Sequence, residues 1–100
     1  MTSDLKRVAR ERIERAMPEL IELSHRIYTN PELNYEEVKA AGWLTDWLES
    51  AGFAVERGIA DLPTAFRATF GNGPLKVAFI AEYDALPDVG HACGHNIIAT

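Results

Sequence analysis

Apolar residues recur every three or four positions over residues 4–29 and again over residues 34–50, which predicts two amphipathic helices. Charged residues fill the opposite face of the first segment, with pairs such as Glu22 and Arg26 spaced four apart. Pro18 lies inside that segment, and we expect one long helix with a local bend. The alternative is a second helix that begins at Pro18, since proline is tolerated in a first turn.

The break between the two helices is predicted at Asn30-Pro31, because a residue before proline is disfavoured in the helical conformation. Asn34 is then expected to cap the second helix, with Glu37 three residues later as its capping-box partner. Gly52 is well placed to end that helix in a left-handed conformation.

Beyond the second helix the pattern changes to strands. Residues 53–55 predict a short strand, and residues 64–70 alternate in the manner of a second one. Gly71-Asn72-Gly73 is a turn signal, so we expect a hairpin that joins residues 64–70 to a third strand. That third segment, residues 75–81, is nearly continuous apolar sequence, which is typical of a strand covered on both faces. A further helix is predicted to start at Asn96.

Helices followed by strands indicate an α/β fold class. A buried strand and an unfinished helix do not make a closed layered structure by themselves. We therefore expect residues 1–100 to form the N-terminal portion of a larger catalytic domain.

Composition narrows the class of protein. Of the 100 residues, 47% are hydrophobic and 25% are charged, which is ordinary for a globular protein and excludes a disordered chain. The net charge of −5 leaves no basic surface for nucleic acid, and no apolar run approaches the ~20 residues of a membrane span. The charged first twenty residues do not resemble a secretory signal, so a cytoplasmic location is expected. Cys93 is the single cysteine, which fits a reducing compartment.

Candidate chemistry is concentrated directly after the apolar segment, in two runs: Glu82-Tyr83-Asp84 and His91-Ala92-Cys93-Gly94-His95-Asn96. In open α/β sheets, sites form at the carboxyl ends of strands. Gly94 permits a sharp turn, so the thiolate of Cys93 and the imidazole of His95 could converge on one ion, and zinc accepts both donors. Glu82 or Asp84 would suit a ligand role or a role in supporting a ligand.

Spacing alone leaves other interpretations open. Cys93 could be a small buried hydrophobic residue, with His95 simply at the start of a helix. Cys93 could also form a nucleophilic thiolate pair with His91 or His95, although residues two apart in a turn seldom reach a good attack geometry. His91 is either a supporting group of a metal site or an ordinary loop histidine.

Four motifs follow one another along the chain: Tyr28-Thr29-Asn30-Pro31-Glu32-Leu33, Glu36-Glu37, Ala81-Glu82-Tyr83-Asp84-Ala85-Leu86-Pro87 and Gly90-His91-Ala92-Cys93-Gly94-His95-Asn96. Their order and separation resemble the zinc aminoacylase and carboxypeptidase family of metallopeptidases. The match is to its amidohydrolase branch, which includes hippurate hydrolases, indole-acetyl-amino-acid hydrolases and aminobenzoyl-glutamate hydrolases. The resemblance covers about residues 18–100.

The resemblance implies that Cys93 and His95 are metal ligands and that Asp84 is the catalytic aspartate beside the metal. Zinc is the expected divalent metal, with manganese, cobalt or nickel as alternatives. The implied reaction is hydrolysis of the amide bond in a small substrate, an N-acyl amino acid or a dipeptide. The implied parent is a homodimer whose catalytic domain has a mixed sheet flanked by helices. The family's catalytic glutamates and remaining ligands follow later in the sequence than these motifs.

Two departures from the family pattern refine the resemblance. Many members carry Asp-Met-Asp where this chain has Glu82-Tyr83-Asp84, and many carry Asp where it has Asn96. Both changes resemble the subgroup of aminobenzoyl-glutamate hydrolases and related dipeptidases. The competing hypothesis is that these 100 residues are an inactive structural fragment with at most weak metal binding, and we expect no amidase activity from them alone.

Overall fold

The computed structural model describes residues 2–100 as helices joined to one small sheet. The elements in chain order are α1 (Thr2–Thr29), α2 (Val38–Ser50), β1 (Ala54–Arg57), a 3-10 turn (Ile59–Asp61), β2 (Phe66–Thr69) and α3 (His95–Ala99). Within the described residues, none of the helices combines the length and the apolar character that crossing a membrane requires.

Helix α1 runs without interruption through Pro18, so the prediction of one long helix is confirmed. Only its C-terminal part is covered, because Leu23 and Ile27 are buried at 6% and 0% exposure. The apolar stripe continues toward the N-terminus but is exposed there, at Leu5, Val8, Ile13 and Ile21. Among the described residues, α2 and α3 meet α1, and both do so near this C-terminal part, as the buried cluster of Leu23 and Ile27 shows.

Helix α2 begins four residues later than predicted, and its cap comes from outside the helix. Asn34 lies in a turn, and the residue preceding the helix, Glu37, makes no capping hydrogen bond with its side chain. Instead the two carboxylate oxygens of Glu32 accept hydrogen bonds from the backbone N–H groups of Lys39 (3.0 Å) and Ala40 (2.9 Å). A carboxylate satisfies two otherwise unpaired donors and complements the positive end of the helix dipole, so the predicted capping box is wrong.

The other end of α2 is as predicted. Gly52 has φ of 97°, a left-handed conformation that residues with a Cβ rarely adopt. Its N–H donates to the carbonyl of Glu49, and the N–H of Phe53 donates to that of Leu48. This pair of bonds is the Schellman motif, which closes the last carbonyls of the helix and turns the chain toward β1.

The core is the contact between α1 and α2. Its four buried apolar residues are Leu23, Ile27, Ala40 and Leu44. Half-buried residues from all parts of the chain pack around them: Trp43, Trp47, Phe66, Tyr83 and Ala99. Both tryptophans of α2 therefore pack against the core, and Ala99 brings α3 against α1.

The sheet has two antiparallel strands, β1 and β2, with Val55 opposite Ala68 in register. The strands at residues 53–55 and 64–70 were thus predicted close to their observed positions. The predicted hairpin across residues 71–73 is wrong, because β2 pairs backward with β1 rather than forward with the next segment.

Residues 75–81 are the second correction to the predicted sheet. This apolar segment forms no strand, and Phe79 and Ile80 are 95% and 93% exposed. A strand covered on both faces needs neighbouring strands and packing layers. Among the described residues, β1 and β2 make up the whole sheet, so nothing covers this segment. The fold is a small mixed arrangement of helices and strands, consistent with the α/β class.

Candidate metal centre

The loop that carries the candidate site is attached to the segment between α1 and α2. The N–H of Ala85 donates to the carbonyl of Glu32 at 2.7 Å, and Ala85 is buried. Leu86 pairs with Gly90 as an isolated antiparallel bridge, which closes a tight turn. Gly90 has φ of 59° and its Cα faces Pro31. Glu32 therefore links the start of α2 to the residues directly after Asp84.

His95 lies at the centre of the site, in contact with both Asp84 and Glu82. It is the first residue of α3, directly after Gly94, whose φ of 83° provides the sharp turn that the sequence predicted. The Nδ1 atom of His95 lies 3.0 Å from the Oδ1 atom of Asp84 and 3.0 Å from its main-chain oxygen. On the other side of the ring, Nε2 lies 3.2 Å from the Oε2 atom of Glu82.

The partners of His95 define its protonation pattern. The main-chain oxygen of Asp84 can only accept a hydrogen bond, and so can Oδ1 of an ionised carboxylate, so Nδ1 carries the proton and donates it. In the neutral ring, Nε2 then presents its lone pair, and that lone pair lies beside the Glu82 carboxylate. This carboxylate–histidine arrangement is the one that orients a histidine ligand toward a metal.

The donor set fits a divalent cation. Glu82, Asp84 and His95 each offer one ligand atom, and these atoms lie within 4.8 Å of one another. Two carboxylates and an imidazole suit zinc and also manganese, cobalt or nickel, so the set agrees with the coarse expectation of a divalent metal and does not select one. Asp84 and His95 are half-buried while Glu82 is mostly exposed, which leaves the Glu82 side of the site open to solvent.

Cys93 lies apart from this group. It is exposed at the end of the turn formed by residues 91–93, two residues before His95. In the described part of the chain, the one group of metal-type donors does not include its thiol. The structure thus brings together the predicted ligand His95 and the predicted catalytic residue Asp84, and it adds Glu82. The role of Cys93 as a ligand stays a prediction.

His91 is buried beside the site without a polar partner. It is 5% exposed, and neither ring nitrogen has a hydrogen-bond partner within the described residues. Burial lowers the pKa of His91 below its ordinary value, and the opposing effect of Asp84 is smaller. The neutral form of the ring is therefore favoured, and that form has one donor and one acceptor nitrogen.

Tyr83 fixes the other side of the Glu82–Asp84 run. Its hydroxyl donates a hydrogen bond to the carbonyl of Thr64, and its ring stacks against Phe66 at 6.0 Å between centroids. Burial, with a smaller contribution from the charge of Glu37, raises the pKa of Tyr83 to about 12. The ring of Tyr83 thus packs toward the core, while the carboxylates of its neighbours Glu82 and Asp84 contact the imidazole of His95.

Asn96, one of the departures from the family pattern, has a structural role. It is buried, and its side-chain N–H₂ donates to the Oγ atom of Ser24 at 3.1 Å and to the Ser24 carbonyl at 3.4 Å. An ionised aspartate could not donate to that carbonyl. The amide therefore suits this position, and it ties the start of α3 to α1.

Sequence reasoning missed two features of the site. Glu82 was considered for a ligand or a supporting role but not chosen as a site residue, although its position two residues before Asp84 would place both on one side of a strand. The burial of His91 had no local signal, because it depends on the turn at residues 86–90.

No family model matches the chain. Curated proteins do match it. It is 50% identical over 106 residues to the Xaa-Arg dipeptidase of Mus musculus and 43% identical over 109 residues to that of Homo sapiens, in each case over 95% of the chain. It is 33% identical over 114 residues to a p-aminobenzoyl-glutamate hydrolase of Escherichia coli strain K12, over 97% of the chain.

The chain spans about a quarter of the length of these curated relatives, between 24% and 25%. Their names agree with the subgroup that the Glu82-Tyr83-Asp84 and Asn96 departures indicated, namely aminobenzoyl-glutamate hydrolases and related dipeptidases. Weaker matches include a thermostable carboxypeptidase of Saccharolobus solfataricus and a hippurate hydrolase of Campylobacter jejuni. The chain belongs to the M20 amidohydrolase family, the aminoacylase and carboxypeptidase family whose motifs it carries.

Proposed function

We propose that the protein is a metal-dependent amidohydrolase that cleaves the amide bond of an N-acyl amino acid or a dipeptide. The observation that carries the proposal is the convergence of Glu82, Asp84 and His95, whose ligand atoms lie within 4.8 Å of one another at a half-buried loop. The names of the most similar relatives, a dipeptidase and a hydrolase of p-aminobenzoyl-glutamate, support the reaction class.

The proposed metal ligands within this chain are His95 and Cys93, and zinc is the proposed ion. When bound, such an ion polarises an amide carbonyl and lowers the pKa of water. Asp84 holds the imidazole of His95 in the orientation that presents Nε2, because its Oδ1 atom and its main-chain oxygen accept hydrogen bonds from Nδ1–H. Asp84 positions the ligand in this way, and its match to the family's active-site aspartate is the ground for proposing it as catalytic.

The proposed substrate class follows from the two kinds of relative. A dipeptide and an aminobenzoyl-glutamate share one feature, an amino acid whose nitrogen is acylated. A panel of amide substrates would determine which amino acid and which acyl group this protein prefers. We also propose a homodimeric parent in the cytoplasm, which size-exclusion chromatography with light scattering and cell fractionation would test.

The test is metal analysis and turnover of an amide panel by the purified full reading frame. The panel contains dipeptides with basic C-terminal residues, p-aminobenzoyl-glutamate and N-acyl amino acids. We expect turnover of at least one of them, abolished by a chelator and restored by zinc. His95→Ala and Cys93→Ala are expected to lose both metal and activity.

His25→Ala is the matched control, because His25 is exposed on α1 away from the site. Turnover that survives chelation, or full metal occupancy in His95→Ala, would contradict the proposal. Turnover of any of these amides by residues 1–100 alone would contradict the expectation that this segment is inactive by itself.

A further inference from the structure

We propose that Glu82 is itself a ligand of the cation, bound through a carboxylate oxygen together with Nε2 of His95, while Asp84 fixes the imidazole from the opposite side. This rests on the proposed function only in placing a divalent cation at His95. It adds a donor that the sequence pattern did not assign, and it makes the chain's own ligand set larger.

The first argument is the division of labour between the two ring nitrogens. Nδ1 of His95 is occupied by two oxygens of Asp84, each at 3.0 Å. Nε2 is therefore the nitrogen available to an ion, and the group that faces it is the carboxylate of Glu82. The two acidic residues approach opposite ends of one ring, so they serve different functions.

The second argument is the distance across the gap. Zinc binds imidazole nitrogen at 2.0–2.1 Å and carboxylate oxygen at 2.0–2.2 Å, so two such ligands in tetrahedral geometry are about 3.4 Å apart. The Nε2 atom of His95 and the Oε2 atom of Glu82 are 3.2 Å apart. The spacing is that of two ligands on one ion.

The third argument is electrostatic. A lone pair on Nε2 and a carboxylate oxygen repel each other, so their approach needs a positive charge between them, which either a cation or a proton on Nε2 supplies. Glu82 is 69% exposed and could turn into water, yet it lies against the ring. The open side of the site also gives an ion a path to this position.

His91 supplies an independent observation. It is more than nine-tenths buried, and both of its ring nitrogens lack a partner in the described residues. Buried polar groups in folded proteins nearly always have a partner, so such a ring indicates a binding partner that the side chains around it do not provide. The His91 carbonyl accepts a hydrogen bond from the N–H of Gly94 at 3.0 Å, directly before His95, so this ring belongs to the turn that leads into the centre.

The experiment measures Zn²⁺ affinity by competition with a chromophoric chelator. We expect Glu82→Gln to weaken Zn²⁺ binding by at least about tenfold, since even residues that only support a ligand contribute ten- to a hundredfold. Asp84→Asn keeps an oxygen that accepts the Nδ1 proton and should weaken binding less. Glu82→Asp retains a carboxylate and should recover part of the affinity. Glu36→Gln, an exposed glutamate before α2, is the control and should bind as the wild type does.

A second readout identifies the ring nitrogen. In ¹⁵N-histidine spectra, Zn²⁺ should shift Nε2 of His95 and leave Nδ1 protonated. Three results would overturn the inference: wild-type Zn²⁺ affinity in Glu82→Gln, a Zn²⁺-induced shift on Nδ1 instead of Nε2, and no Zn²⁺ binding by the wild type. In the third case a proton would be the charge between the two groups. Loss of Zn²⁺ binding in Glu82→Gln without any amide turnover by the wild type would keep the inference and reject the proposed function. Amide turnover with Zn²⁺ binding independent of Glu82 would do the reverse.

Discussion

The Nδ1 atom of His95 lies 3.0 Å from the Oδ1 atom of Asp84, although the two residues are eleven positions apart on either side of a tight turn. The aspartate can serve two functions at this contact: it accepts a hydrogen bond from the Nδ1–H group of the ring, and it carries a negative charge. Asparagine at residue 84 would keep the first function and remove the second.

For the proposed amidohydrolase we expect Asp84→Asn to retain most of its metal and to lower kcat/KM by about ten- to a hundredfold, the range for losing a group that supports a metal ligand. Asp84→Ala also removes the side-chain acceptor and leaves only the main-chain oxygen to accept from Nδ1, so it should weaken metal binding by about ten- to a hundredfold. Metal analysis alongside steady-state kinetics distinguishes the two effects. Equal losses of metal and of kcat/KM in Asp84→Asn would show that the charge, not the orientation, holds the ion.

Glu32→Ala should destabilise the fold by about 1–2 kcal/mol, the upper part of the range for losing a helix cap. Two backbone N–H groups of α2, those of Lys39 and Ala40, lose their acceptors in this variant. Urea denaturation followed by circular dichroism gives the free energy of unfolding. Glu36→Ala is the matched control, and an equal loss of stability in both variants would contradict the capping role of Glu32.

Ile27→Ala should cost about 2–5 kcal/mol, because Ile27 is fully buried and its truncation leaves a cavity between α1 and α2. Ile21→Ala on the same helix removes the same atoms at a position that is 61% exposed, and its effect should stay within about 0.5 kcal/mol. The difference between the two variants in thermal unfolding measures the core contact. Similar melting temperatures would mean that α1 and α2 do not pack as described.

The ion pair between Glu49 and Arg57 predicts a pH dependence. The Nη2 atom of Arg57 lies 2.6 Å from the Oε1 atom of Glu49, and this hydrogen bond lowers the pKa of Glu49 below 4.5. Since the folded-state pKa is depressed, the stabilising contribution is fully present above pH 4.5 and is lost as the pH falls through the folded-state pKa. Both groups are exposed, so the contribution is small.

The measurement is a carboxyl-carbon NMR titration of Glu49. We expect its midpoint to move up to the ordinary value in Arg57→Gln and to stay low in Arg10→Gln, whose arginine lies on the exposed surface of α1. A midpoint that is the same in the wild type and in Arg57→Gln would rule out the ion pair in solution.

Features that depend on neighbours in the chain were predicted well from the sequence. The period of α1 and α2 was visible because every helical hydrogen bond closes within four residues. Gly52 ended α2 as expected, since the left-handed conformation is a property of glycine itself. The motif around Cys93 and His95 identified the family, which the relatives confirmed.

Features that depend on residues distant in the sequence were not predicted correctly. Residues 71–73 carry a turn signal, but the strand before them, β2, pairs with β1. Residues 75–81 are apolar, but no other element of the described chain packs against them and they are exposed to solvent. Asn34 had the right residue type for a cap, yet Glu32 reaches the helix from further away and satisfies two donors where Asn34 would satisfy one.

The sequence by itself therefore determined where the helices lie, which residues are candidates for metal binding and which family the chain belongs to, because these depend on local spacing and residue type. Only the tertiary structure decided that Glu82 and Asp84 approach opposite nitrogens of His95 and that His91 is buried beside them. These relationships depend on how the loop after Tyr83 is anchored to Glu32 and Pro31, a long-range contact whose free energy comes from burial and from backbone hydrogen bonds.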